Sequence, residues 1–343
     1  MRIKVGVTDK NLNIEFLRII LTMAVCLHHF RLYSNALPYG GGYIAVDCFF
    51  IISGYYLSRH LIESAKGKEE SMMDYVRQRY KRLFPEYILA FVIALIYHIL
   101  SGEISFKEWF GYVREALMIE IWGIDIIDRI NPPDWYCGYL LIAYIVAFAY
   151  IRWSQKYKGA LCITAFLTLV MYFIMAMVSS HINIYPQHQS ILSTAVWRAI
   201  AGVLLGYLIY LLAGKTCSII RSRKRMIFHI LMFLLEVVLL YILFWENFLP
   251  YIDYTAVFFF GLLFYLAINM EMKCISRKLR GIIEYLGELS FSIYLNHYLI
   301  AFIFNKYSWF RSLDWKIVSL LFLAIVFIFS NMVFGMRKVL FKF

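Results

Sequence analysis

Charge is scarce in this chain. Of its 343 residues only 16% are Asp, Glu, Lys or Arg, while 62% are hydrophobic, against about 25% and about 45–50% in an ordinary soluble domain. A soluble core cannot absorb that excess, which excludes the two soluble domains that length alone would suggest. No C-x-x-C pair occurs among Cys26, Cys48, Cys137, Cys162, Cys217 and Cys274. That argues against a disulfide scaffold and against a metal site, and the six read as small buried hydrophobes. The first apolar block lacks an A-x-A-like cleavage site, carries Arg18 and ends in His28 and His29, so it reads as a retained span and not a signal peptide. No internal repeat and no second globular domain is visible.

What the chain does have is apolar sequence in blocks of 16 to 20 residues, close to the roughly 20 residues a helix needs to cross a bilayer. The expected fold is all-α, a polytopic bundle of about ten transmembrane helices forming one domain over residues 1–343. The spans are expected near Ile14–Phe30, Tyr43–Leu61, Phe84–Leu100, Trp135–Trp153, Ala160–Val178, Thr194–Leu212, Met226–Trp245, Tyr254–Asn269, Leu286–Phe304 and Trp315–Phe334.

The formal charge is +12, but the basic residues cluster between apolar blocks and do not line one face, which favours lipid headgroups over nucleic acid as their partners. One set of alternate loops, including both termini, holds 25 Lys and Arg, and the opposite set holds 6. By the positive-inside rule the richer set, with both termini, is expected in the cytoplasm. The longest outer loop, Ser101–Asp134, is acidic.

Several polar side chains interrupt the apolar blocks. Arg18 lies one turn into the first span, where a mid-membrane guanidinium would cost about 2.5–3.5 kcal/mol on insertion scales; snorkelling to the headgroups is the simplest relief. His29 is eleven residues further, which places it within about 20° of the Arg18 face and about 16 Å along the axis, with Thr22 and Val25 between. His28 points elsewhere. An imidazole can accept and return a proton near neutral pH, which suits activation of a hydroxyl for attack on a thioester; a hydrogen-bonded interfacial histidine is the plainer reading. Asp47 lies at a depth similar to that of His29, able to orient an imidazole or pair with an arginine. Arg198 and Glu236 are further candidate charge partners. Ser290, Tyr294 and His297 follow i, i+4, i+7 spacing and share one helix face. Arg77, Arg79, Lys81 and Arg82 precede the third span; such clusters usually enforce topology, yet Arg79 and Arg82, three apart, could also hold phosphates with forked donors.

Five segments in this order resemble the acyltransferase-three family of integral membrane acyltransferases. They are E-F-L-R at Glu15–Arg18 followed by His28-His29, then G-G-Y-I-A-V-D-C-F-F-I-I-S-G at Gly41–Gly54, then R-Y-K-R-L-F-P at Arg79–Pro85 with D-W-Y at Asp134–Tyr136. Arg198 with Gly202 and Gly206, and L-G-E-L-S-F-S-I-Y-L-N-H at Leu286–His297, complete the set. The resemblance spans nearly the whole chain. It implies transfer of an acyl group, most often acetyl, from cytoplasmic acyl-CoA to a hydroxyl of a carbohydrate or other envelope molecule, in a bacterial inner (plasma) membrane.

By matching position, Arg18 and His29 correspond to the family's first-span pair, and Arg79 and Arg82 to its donor-associated R-x-x-R. The resemblance leads us to expect His29, Arg18 and Asp47 as catalytic, Arg79 and Arg82 at the acyl donor, and Arg198, Trp135, Tyr294 and His297 at the acceptor. No metal is expected. Membrane lipids, acyl-CoA and a glycan acceptor are the expected partners, with nucleic acid excluded and a homo-oligomer left open. The rival from another class is a carrier or flippase for a polysaccharide precursor, since intramembrane Arg, Asp and His also line transport paths.

Overall fold

A computed structural model describes residues 11–31, 38–63, 70–119, 129–182, 194–220, 225–245, 249–270, 275–306 and 314–341. Among these, the chain is helical and contains no strand. Ten long helices and one short one follow in order: α1 (Leu12–Arg31), α2 (Ala45–Glu63), α3 (Met72–Leu100), α4 (Trp109–Ala116), α5 (Trp135–Ser154), α6 (Ala160–Val178), α7 (Thr194–Ile220), α8 (Arg225–Trp245), α9 (Ile252–Asn269), α10 (Arg277–Lys306) and α11 (Trp315–Leu340). Nine of the long helices are long and apolar enough to cross a membrane. The tenth, α10, is long enough at 30 residues, but its polar side chains keep it out of that group.

Helix boundaries depart from the expected spans where capping, and not lipid, decides them. α3 begins at Met72, twelve residues before the expected Phe84, because Ser71 caps it by accepting from the Asp74 backbone N–H. The R-x-x-R segment therefore lies in the opening turns of α3, ahead of its apolar stretch. Pro85 sits inside the helix; it removes one backbone hydrogen bond, a loss that neighbouring membrane helices tolerate. α7, α10 and α11 likewise run past the apolar runs from which they were inferred. The acidic loop Ser101–Asp134 contains α4. Residues 120–128 of that loop, and Cys274, lie outside the described residues. Cys26, Cys48 and Cys137 are buried, and Cys162 is exposed.

Backbone contact sets the central geometry. α2 packs along α7, and a Cβ on Gly206 would collide with the Ile51 carbonyl of α2; the absent side chain lets the two helices touch, as small residues do in membrane interfaces. α1 packs along α10, and a Cβ on Gly287 would strike the Glu15 carboxylate. α3, α6, α8 and α11 bury the smallest shares of their apolar windows. Phe166, Phe173, Phe233 and Ile328 project outward from them, as a lipid-facing surface requires.

Candidate active site

α1 carries a polar column. Arg18 bonds Glu15 at 3.1 Å, Thr22 returns its hydroxyl to the Arg18 carbonyl, and one turn beyond the buried Val25 stands His29. Its Nδ1 lies 3.1 Å from the Val25 carbonyl and 2.9 Å from Nε2 of His297 on α10. His297 is fully buried, and its Nδ1 lies 2.6 Å from the Tyr294 carbonyl.

Carbonyl oxygens accept only, so these contacts settle the tautomers. His297 donates from Nδ1 to Tyr294 and presents a bare Nε2. His29 donates from Nδ1, shared between Val25 and His297, which leaves the lone pair of neutral His29 on Nε2. The adjacent His28 is directed elsewhere: its Nδ1 donates to the Tyr39 carbonyl at 3.3 Å and its ring packs on Tyr43.

Asp47 does not reach His29. Its two oxygens take Arg198 Nε at 3.2 Å and Nη2 at 2.7 Å, a bidentate pair with both side chains buried. Trp135 stacks under the Arg198 guanidinium at 5.3 Å. The charge partner shown for Arg198 is thus Asp47, while Glu236 is half-buried on α8. Depth along the membrane matched Asp47 to His29, but the direction each residue faces around its helix set them apart.

A cavity of about 870 Å³ opens among the ends of α1, α2, α3, α10 and α11 that carry the basic clusters. Arg18, Arg79 and Arg82, Ser290 and Tyr294 line it, and it extends inward to Thr22, Phe49 and Tyr136. Three of its five arginines are ion-paired: Arg18 with Glu15, Arg59 with Glu63, Arg337 with Glu86. Arg79 and Arg82 have no carboxylate partner among the described residues, and Arg79 lies over the Tyr75 ring. His29, His297, Asp47, Arg198 and Trp135 are not in the lining. The expected residues thus divide into a basic cavity, a histidine pair and a buried ion pair, and Tyr294 belongs to both of the first two.

Sequence reasoning missed the groups that tie α4 and the P-P-D turn to α10. Glu115 of α4 is fully buried, and its two oxygens accept from the backbone N–H groups of Ile130 and Asn131 at 2.9 and 2.8 Å. Asn131 in turn donates to the Leu295 carbonyl of α10 and to Asp134, and the Tyr294 hydroxyl donates to the Pro133 carbonyl. A glutamate in an acidic outer loop gives no sign of such a clasp; only the P-P-D turn marks where the chain re-enters.

The helix frame and this internal cavity define a polytopic integral membrane protein built around a basic chamber. The profile of the acyltransferase-three family, described as an acyltransferase domain, matches residues 11–333, and the chain belongs to that family, whose members transfer acyl groups. A stretch of 99 residues, 27% of this chain, is 30% identical to the acyltransferase MdmB of Streptomyces mycarofaciens and spans 24% of that relative. No solved structure matches the chain.

Proposed function

We propose that the protein is an acyl-CoA-dependent O-acyltransferase that moves a short acyl group, acetyl first among them, onto a hydroxyl of an envelope or exported glycan in a bacterial plasma membrane. The observation that carries the reading is the relay from the Tyr294 carbonyl through His297 to His29, which holds a basic nitrogen on His29 beyond the inner end of a cationic cavity. In this reading Arg79 and Arg82, lacking carboxylates, hold the donor's phosphates. Forked guanidinium donors suit that task, and about 870 Å³ falls within the range of sites for sizeable ligands.

His29 Nε2 then takes the proton of the acceptor hydroxyl, and the oxygen attacks the thioester carbonyl. The tetrahedral adduct collapses with cleavage of the C–S bond, and the imidazolium returns its proton to the departing thiolate. Arg18, in the cavity wall, lies along the donor's path. Asp47 and Arg198, bound to each other, act by holding α2 against α7 and carrying Trp135, so their part in acceptor binding is indirect.

Purified protein with acetyl-CoA and a glycan acceptor should release free CoA, which a carrier would not do. His29→Ala is expected to lower that turnover by about 100- to 10,000-fold, the usual contribution of a positioned base, with unchanged membrane insertion. Undiminished turnover by a well-folded His29→Ala protein would remove the mechanism.

A further inference from the structure

The cavity and the histidine pair do not join. Three aromatic rings from three helices meet in the cavity lining: Phe49 on α2, Tyr136 on α5 and Tyr294 on α10. Each touches the other two, with centroids 6.3 Å apart for Phe49 and Tyr136, 6.0 Å for Phe49 and Tyr294, and 5.5 Å for Tyr136 and Tyr294. All three line the cavity, and the Tyr294 ring lies 5.9 Å from that of His297. At Tyr294, one ring therefore separates the cavity from His297.

The three are not held alike. Tyr294 is tethered by its hydroxyl to the Pro133 carbonyl at 2.9 Å, and Tyr136 by its hydroxyl to Ser53 at 3.3 Å. Tyr136 also leans on the fully buried Phe50 at 4.8 Å. Phe49 has no polar atom to anchor it and is only half-buried. Apolar packing and ring-to-ring contact hold it, each such ring pair worth about 0.5–1.5 kcal/mol beyond area burial, which a rotamer change can release.

We propose that Phe49 is the moving leaf of an aromatic gate at the inner end of the cavity, and that it sets the length of the acyl chain admitted to His29. The proposal rests on the acyltransferase reading above. Rotation of Phe49 away from Tyr294 and Tyr136 loosens the ring cluster at the inner end of the cavity and opens a way past Tyr294 toward His29, and the ring's bulk then forms the wall that a longer chain would meet. The class of donor follows: short acyl thioesters pass, and chains of several more methylenes are turned back.

The test compares acetyl-CoA and hexanoyl-CoA as donors for purified wild-type protein, Phe49→Ala, Phe49→Val and Phe49→Trp, with Tyr136→Phe as the control for a tethered ring. Each methylene in an apolar pocket changes specificity by about tenfold or more. We expect the hexanoyl-to-acetyl ratio of kcat/KM to rise at least about tenfold in the alanine and valine variants, and acetyl turnover to fall in the tryptophan variant. Tyr136→Phe should leave the ratio unchanged. An unaltered ratio in folded, active Phe49→Ala and Phe49→Val overturns the gate while leaving the acyltransferase standing. Absence of CoA release from wild-type protein overturns the acyltransferase reading itself.

Discussion

His297→Ala isolates the relay from the base. In the intact protein the His29 Nδ1 proton faces two acceptors, the Val25 carbonyl at 3.1 Å and His297 Nε2 at 2.9 Å. Removing the second imidazole leaves the first acceptor, so His29 can keep its tautomer but loses the partner that fixes its ring and steadies the imidazolium formed in the transition state. Loss of the orienting group of a catalytic histidine reaches about 10,000-fold where the tautomer is reversed. With Val25 still holding it, the expected fall in kcat is smaller, about 10- to 100-fold, the scale of a lost orienting partner. KM for acyl-CoA should stay within a factor of about two, because only kcat is affected when an interaction acts in the transition state alone.

His297→Gln offers an amide oxygen on a chain of similar reach and should regain part of the loss. Steady-state release of CoA, measured by thiol titration with donor and acceptor varied separately, gives both constants. Wild-type kcat in His297→Ala, or a loss as deep as that of His29→Ala with no rescue by glutamine, would refute the relay.

Other outcomes follow from the same geometry. Asp47→Asn removes the carboxylate that grips the buried Arg198 guanidinium and should cost about 3–5 kcal/mol of stability, read as a lower thermal unfolding midpoint in detergent; replacing both partners by apolar residues should recover much of it. Arg82→Ala should raise KM for acyl-CoA about tenfold or more, a charge-assisted contact being worth about 1.5–3 kcal/mol. It should leave KM for the acceptor unchanged, and equal donor KM in the two proteins would take Arg82 out of the donor site.

The frame was legible in the sequence because lipid imposes one simple demand on every span: about 20 apolar residues. The polar column on α1 was legible too, since helix periodicity places Arg18, Thr22, Val25 and His29 on one face. Neither rule says which helix that face meets. His297 was grouped correctly with Ser290 and Tyr294 along α10, but its contact with His29 depends on α1 and α10 packing together, a relation between residues 268 apart in sequence. Asp47 could orient an imidazole or pair with an arginine as far as depth alone says, and Arg198 claims it because α2 lies on α7. Glu115 and the Phe49 cluster were invisible for the same reason: a buried loop carboxylate and three scattered rings acquire meaning only when the bundle closes.

α10 supplies His297, Tyr294 and Ser290, yet it is the long helix that lacks the apolarity of a self-sufficient span. It packs along α1, whose Glu15 lies against Gly287, and against α11, its hairpin partner. During synthesis α1 therefore acquires the His297 neighbour of its His29 only after another 268 residues have been made. Residues 275–343 made alone should integrate poorly into membranes, and co-production with residues 1–270 should restore both their integration and CoA release.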